Sequence, residues 1–457
     1  MNPDSHAAAA ASFLRDAERT GWHDRAIWFV RQKRDIAARS VPEWEELRGL
    51  ASAIKRHTMS HLALYLEAFE RSARRNGVTV HWARDAAEHN DLVLGILRAR
   101  GARRLAKSKS MLTEECRLNP FLARNGIEVV ESDLGERIVQ LAGEEPSHIV
   151  MPAIHRKKAE VAALFHRTLG TREDPDPAYL AEAARQHLRG LMASADAAMT
   201  GVNFAVAETG AMVVCTNEGN ADLGAHLAPV HIASMGLDKV IPRTEHLGVF
   251  LRLLARSATG QPVTAYTSHF VRPRPGAELH VVIVDNGRTA QLARDDFRES
   301  LHCIRCGACL NTCPVYRRSG GHSYGVTVAG PIGAILAPGF DLAAHASLPF
   351  ASTLCGSCAD VCPVRIDIPR QLYRWRQIAV ASGQVSWSKR VSMRLLGATL
   401  ASASRYERAG RLLRRLLRRV PRLIGHPALD PWSRSRELPV APEESFREWY
   451  RRERRTR

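Results

Sequence analysis

No stretch of this 457-residue sequence approaches the ~20 consecutive apolar residues needed to cross a bilayer. The longest apolar runs are strand-length, as in HVVIVD at 280–285. The opening MNPDSHAAAAASFLRDAERTGW has no basic segment leading into an apolar one, so no secretory signal is expected. There is no G-x-G-x-x-G dinucleotide fingerprint, no phosphate-binding P-loop and no nucleophile–base pair. Zinc fingers, recognition-helix patterns and basic platforms interleaved with aromatics are missing too. Their absence argues against a nucleic-acid partner in spite of a net charge of +18. The cytoplasm is the expected compartment, with membrane association left to surface contact alone.

What remains is ordinary globular material, 45% hydrophobic and 25% charged, long enough for about three domains and a sizeable core. The positive charge is unevenly placed. Residues 389–457 hold 19 Lys and Arg against 7 Asp and Glu, which is +12 of the +18. Residues 1–76 show apolar residues at three- and four-residue spacing and read as an N-terminal helical region. After Gly77 the texture changes. VTVHW (78–82), IEVVES (127–132), HIVMP (148–152) and NFAVAET (203–209) read as strands between helical stretches. MVVCT (212–216), PVHIAS (229–234), VTAYTS (263–268) and LHVVIVD (279–285) continue the sheet. This alternation predicts an α/β domain with a mostly parallel sheet over 77–295. Residues 296–375 are rich in Cys, Gly and Pro and poor in periodic apolar runs, so a bound metal centre is expected to organise them. Residues 376–457 read as a basic helical region.

Nine cysteines are present, and seven of them lie within 303–362. Without an export signal, such clustering points to thiolate ligation of metal and not to disulfides. CIRCGACLNTCP at 303–314 reads C-x2-C-x2-C-x3-C-P, the bacterial ferredoxin spacing. In that signature three cysteines on one tight loop bind three corners of a cubane, and the fourth, before proline, ligates the other cluster. STLCGSCADVCP at 352–363 fits the same ruler, except that Ser352 stands where the first run has Cys303. Exchange of last cysteines then assigns Cys303, Cys306, Cys309 and Cys362 to one cluster, and Cys313, Cys355 and Cys358 to the other. Gly307 and Gly356 permit close backbone approach, while Pro314 and Pro363 turn the chain away from the last ligand. Zinc fits an unbroken four-cysteine run poorly. The blank at Ser352 leaves three outcomes open. The second cluster is [3Fe–4S], or it is [4Fe–4S] with an oxygen or other ligand on its fourth iron, or that iron is open to a substrate or partner. The plain three-cysteine electron-transfer cluster is the favoured of these.

The other candidates are weaker. Gly320, Gly321, Gly325, Gly330 and Gly333 between the runs are expected to serve packing, and His302 and His322 to be surface residues. Cys116 and Cys215 read as isolated, buried or half-buried thiols. Three polar patches in the α/β domain point to a pocket at the strand ends. They comprise Glu208, Thr209, Gly210, Thr216, Asn217, Glu218, Gly219 and Asn220; Ser108, Lys109, Ser110 and Thr113; and ARSATGQ at 255–261. No reaction can be read from them. Near the C-terminus, Leu412, Leu413, Leu416, Leu417 and Val420 form one helical stripe opposite Arg411, Arg414, Arg415, Arg418 and Arg419, ended by Pro421. That pattern fits a helix packed on the body or a partner, and it also fits peripheral contact with an anionic membrane.

KSKSMLTEE, SHIVMPAIH, AETGAMVVCTNEGN, LLRLLARSATGQ, HVVIVDNGR and the two cysteine runs, in this order over about 75–375, resemble the lactate utilization protein B family of bacterial L-lactate oxidation. The resemblance implies an α/β lactate-utilization domain similar to the sugar-isomerase/CoA-transferase type, followed by a two-cluster ferredoxin-like segment. It implies two [4Fe–4S] clusters on the seven cysteines, with three in the second run as a family trait. It also implies two partner proteins and a relay of electrons from L-lactate on its way to pyruvate, without catalysis by this chain. Cys116, Cys215, the segment PVHIASMGLDKVIPR and the basic tail depart from the family pattern.

Overall fold

Unbroken apolar strands belong in the middle of a sheet, where helices cover both faces. In the computed structural model, which describes residues 5–420 and 440–455, that is where they lie. Among the described residues ten strands form two sheets: Thr79–Ala83 (β1), Arg104–Lys107 (β2), Glu128–Glu131 (β3), Ala197–Gly201 (β4), Phe204–Val206 (β5), Ala211–Thr216 (β6), Val230–Gly236 (β7), Val240–Ile241 (β8), Tyr266–Phe270 (β9) and Glu278–Val284 (β10). Six of them make a parallel sheet in the order β1-β10-β7-β4-β2-β3. β7 is buried at every position, whereas β1, at an edge, mixes buried and exposed ones. The expected α/β class with a mostly parallel sheet is therefore what the chain forms.

A second sheet, β8-β5-β6-β9, holds NFAVAET, MVVCT and VTAYTS, which the strand pattern had assigned to the main sheet. Gly210, at φ 72°, turns the chain tightly between β5 and β6 and makes them an antiparallel hairpin. HIVMP is not a strand. The buried ring of His148 accepts hydrogen bonds from the backbone N–H groups of Val150 and Met151 (3.0 and 3.1 Å), which folds this stretch into a tight loop. The short strands β2 and β4 escaped the sequence reading because Lys107 and Thr200, both buried, do not look like core residues.

The N-terminal helices form as expected: His6–Phe13 (α1), Ala17–Arg39 (α2), Trp44–Ser60 (α3) and Leu62–Arg75 (α4). Asp16 caps α2 by accepting from Arg19 N at 2.9 Å. One apolar core joins Ile27 of α2, Leu47 of α3, Phe204 of β5 and Phe250 to Leu310, Tyr316, Ile332 and Ile335 of the cysteine segment. The cysteine segment is thus not short of apolar surface. The helix Gly330–Phe340 (GPIGAILAPGF) looks like loop by composition, yet it is buried from Gly330 to Pro338. Its small residues let neighbours approach from every side.

The chain divides into two compact units, Met1–Ala379 and Val380–Arg457. In the second, the helices Ala403–Arg419 and Phe446–Arg455 are joined by Arg414–Glu448 (2.6 Å) and Arg447–Glu407 (3.1 Å) ion pairs. Leu412, Leu413 and Leu416 on the expected stripe are exposed. Pro421 lies outside the described residues. Among the described residues no helix is long and apolar enough to cross a membrane.

Candidate metal centre

The two cysteine runs fold as the same unit twice. Arg305 and Leu354 both adopt left-handed backbone, at φ 58° and 55°, and Gly307 and Gly356 follow at 78° and 87°. Each glycine caps a short helix, Ala308–Thr312 or Ser357–Asp360, whose second residue is a cysteine, Cys309 or Cys358. Left-handed arginine and leucine each cost on the order of 1 kcal/mol, a strain that persists at functional sites when the surroundings enforce it. Here it curls the loop so that backbone N–H groups face sulfur. Arg305 N donates to Cys303 Sγ and Ile366 N to Cys362 Sγ, both at 3.4 Å.

Cys306, Cys309, Cys313, Cys358 and Cys362 are buried, Cys303 is half-buried and Cys355 is exposed. Burial pushes the Cys358 thiol up to about 12 and the Cys362 thiol up to about 11. It raises Cys306, Cys309 and Cys313 as well. Cys355 is lowered, first by its hydrogen bond with the Thr353 side chain. The sulfurs also act on one another in sets. After burial, Cys306 is raised by Cys303 and Cys362, and Cys313 by Cys355. Cys358 is raised by Cys313 and Cys355. Cys309 feels Cys303, Cys306 and Cys362, and also Cys358 of the other run. Buried thiols of this kind ionise only when a metal takes the proton's place.

The spacing separates the candidate metals. A tetrahedral zinc with Zn–S near 2.3 Å holds its sulfurs about 4 Å apart. Among the described residues, the group of metal-competent side chains whose ligand atoms lie within 4.8 Å of one another is Glu114, Glu131 and Glu136, not a set of cysteines. A lysine already fills that acidic group, since Lys107 Nζ lies 3.0 Å from Glu114 and 2.7 Å from Glu131. The corners of a cubane hold thiolates wider apart than a single zinc does.

Arginines from the N-terminal helices hold the second run. Arg34 of α2 donates to Val361 O (3.1 Å), and Arg48 of α3 donates to Cys362 O (3.0 Å). On the other side Lys55, Lys239, Arg288 and Arg305 gather with Asp238 and Glu115, an excess of buried positive charge beside Cys303. A cluster with four thiolates is anionic and would offset it. The loop that contains His148 grips the first run. His148 Nε2 bonds Asn311 Oδ1 (3.0 Å), Tyr316 donates its hydroxyl proton to Ser147 O (2.7 Å), and His322 Nε2 donates to Glu145 O (2.8 Å). His302 is buried, contrary to the surface position expected, and burial lowers it to about 3. Four of the five glycines between the runs serve packing, Gly320, Gly321, Gly330 and Gly333: a Cβ at Gly321 would lie 1.7 Å from Ser147 O, and one at Gly333 1.5 Å from Val328 O, whereas one at Gly325 would meet nothing within 4 Å.

A cavity of about 280 Å³ opens at the carboxyl ends of β2, β4 and β7, and Arg305 and Cys306 form part of its wall. Ser108, Lys109, Ser110, Thr216, Asn217, Glu218 and Asn220 line it, together with Ala255, Ala258, Thr259 and Gln261 of the third polar patch. Thr113 is buried behind it, donating to Ser110 O at 2.9 Å. Glu208, Thr209 and Gly210 lie elsewhere, at the β5–β6 turn against α4, where Ser72 donates to Glu208 O (3.2 Å). The sequence reading missed Asp133, Lys239, Arg288 and Arg305, which also line the cavity. Lys109, Lys239 and Arg305 have only loose carboxylate partners, at 3.7, 3.8 and 3.7 Å. Burial, with Asp133 adding, pushes Glu218 up to about 7. Cys215 is half-buried on the same wall, and Cys116 is buried elsewhere.

Residues 66–289 match the LUD domain family, and residues 299–366 match the 4Fe-4S dicluster domain. The chain is 40% identical over 454 residues to "Lactate utilization protein B" of Geobacillus thermodenitrificans, covering 96% of this chain and 94% of that one. It is 38% identical over 438 residues to the protein of the same name in Shouchella clausii, covering 92% and 91%. A crystal structure of a DUF162 family protein from Deinococcus radiodurans aligns with 49% of this chain and 98% of that one at 16% identity. The TM-score is 0.25.

Proposed function

The chain belongs to the lactate utilization protein B family, and from that premise we propose that it is a two-cluster electron carrier in the oxidation of L-lactate to pyruvate. Cys303, Cys306, Cys309 and Cys362 hold the first cluster, and Cys313, Cys355 and Cys358 supply three ligands to the second. The observation that carries this reading is the doubled loop-and-helix unit, with its sulfurs in two adjoining sets linked through Cys309 and Cys358. When bound, the clusters supply one-electron transfer. This chain's residues keep water from the buried thiolates, direct N–H groups at Cys303 and Cys362, and set a positive field on the Cys303 side. Oxidising a hydroxy acid to an oxo acid releases two electrons and two protons together. A partner therefore has to make the two-electron step and pass electrons on singly. Two other lactate-utilization proteins fill the partner roles. The cytoplasm, which keeps thiols reduced, is the compartment. Cys306→Ser should abolish growth on L-lactate as sole carbon source while leaving growth on glucose unchanged. Unimpaired growth on lactate would overturn the proposal.

The cavity favours a second role for the same chain. Three loosely paired cations, flanked by Ser and Asn side chains at the carboxyl ends of parallel strands, suit a small organic carboxylate. The cavity borders Cys306 of the four-cysteine set, not the position left blank by Ser352. On this reading L-lactate or pyruvate binds to the purified chain in calorimetry, and Lys239→Gln weakens binding about tenfold or more, the effect of losing one charge-assisted contact of ~1.5–3 kcal/mol. Equal binding by the variant, or none by the parent, would remove the cavity from the account.

A further inference from the structure

The second run keeps the conformation of the first although it lacks the first cysteine. In the first, Cys303 Sγ accepts the backbone N–H of the residue two positions on, Arg305, at 3.4 Å. In the second, Ser352 Oγ accepts the N–H of Leu354, also two positions on, at 3.1 Å. Those two residues share left-handed φ values of 58° and 55°, and the glycines two further on share 78° and 87°. The helices that follow start at the same register and present Cys309 and Cys358 from the same place. The left-handed turn, the N–H contact and the helix register around Cys303 Sγ in the first run thus recur around Ser352 Oγ in the second. A serine placed at random on a loop has no reason to reproduce a left-handed leucine, which has no glycine-like tolerance for that conformation. The loop is also held from behind. Arg376 donates from Nε to Pro349 O (2.8 Å) and from Nη2 to Ser352 O (2.7 Å), which fixes the backbone carrying the hydroxyl.

We propose that Ser352 Oγ is the fourth ligand of the second cluster, completing a [4Fe–4S] centre with Cys313, Cys355 and Cys358. Ligation forms one Fe–O bond. The hydroxyl proton leaves to water, which reaches this edge through exposed Cys355, and no iron changes oxidation state. The Leu354 N–H then points at an alkoxide as the Arg305 N–H points at a thiolate, and the Arg376 guanidinium lies on the same residue. Other oxygen sources nearby are the Asp360 carboxylate, whose charge reaches Cys355, and solvent. The proposal rests on the two-cluster reading, and the experiment separates their failures.

The full chain is purified anaerobically with 57Fe as the parent, Ser352→Ala and Ser352→Cys, and iron and sulfide content, Mössbauer spectra and oxidised-state EPR are recorded. The parent should hold two four-iron clusters with one iron of distinct, oxygen-ligated parameters. Ser352→Cys should keep full iron and lose the distinct site. Ser352→Ala should lose the distinct site and gain the EPR signal of a three-iron cluster, with the four-cysteine cluster unaltered. A distinct iron that persists in Ser352→Ala gives the position to Asp360 or water and overturns the proposal, as does a three-iron cluster in the parent. A parent with one cluster or none refutes the two-cluster reading itself. Should the alanine variant fail to fold, Ser352→Gly, which also lacks the hydroxyl, takes its place with the same two outcomes.

Discussion

Lys107 and Glu136 are both buried, in one group with Glu114 and Glu131. The Lys107 ammonium is fully buried between Glu131 and Glu114. Burial alone would lower it, but the three surrounding glutamates hold it above its ordinary value. Lys107 is one cation for three carboxyls, which leaves two without a counter-charge from it, and burial raises both Glu131 and Glu136. Burial, with Glu131 adding, pushes Glu136 up to about 8, and its Oε1 finds no hydrogen-bond partner. The folded chain therefore binds the Glu136 proton more tightly than the unfolded chain. Its contribution to stability is complete below the ordinary value of 4.5, falls as pH rises, and is gone above about 8. Glu136→Gln, which keeps the shape without the proton, should flatten that part of the profile and raise the melting temperature relative to the parent at pH 8.5. Parallel melting curves for the two proteins from pH 5 to 8.5 would contradict the assignment. Nothing in KSKSMLTEE announced a buried lysine. Its burial depends on carboxylates from β3 and a later helix, which only the sheet order brings together.

At the scale of elements, the loop at 147–155 and the stretch after the first cysteine run hold each other. Tyr316 donates to Ser147 O, and Gly321 packs directly against the same carbonyl. A methyl group on Gly321 would lie 1.7 Å from that oxygen, so the loop would have to move. Gly321→Ala should destabilise by about 3 kcal/mol, the upper end of overpacking costs, and should lower the iron content of the purified chain with little change in helix content. Parent-like melting and iron content would show that this contact does not position the run. The cysteine spacing was legible because ligand geometry is local, three cysteines on one turn of chain. So were the N-terminal helices and the central strands, whose periodicity is written in consecutive residues. The 147–155 loop was not. HIVMP has the composition of a strand, and only the buried ring of His148 takes the N–H bonds that a neighbouring strand would have taken. The helix Gly330–Phe340 was hidden for the opposite reason, since its glycines and prolines mark a loop until tight packing on all sides makes them assets.

Across the first unit, the carboxyl ends of the parallel strands, the cavity and the first cysteine run share one wall at Arg305 and Cys306. Eleven of the nineteen predicted pocket residues line that cavity and the β5–β6 turn does not, because a hairpin that leaves the main sheet carries its polar residues away with it. The excess of buried cations beside Cys303 would be offset by an anionic cluster, and Arg34 extends the same field to Cys306 and Arg48 to Cys362. Cys355 is exposed while Cys306, Cys309 and Cys362 are buried. Under the proposed assignment the first cluster would be sheltered and the second accessible, a layout that suits a relay between partners. The most direct test is an anaerobic redox titration of the purified full chain followed by EPR. The account predicts two separate one-electron reductions, with magnetic interaction between the clusters when both are reduced. A single titrating centre, or stoichiometric zinc with no reducible centre, would contradict it.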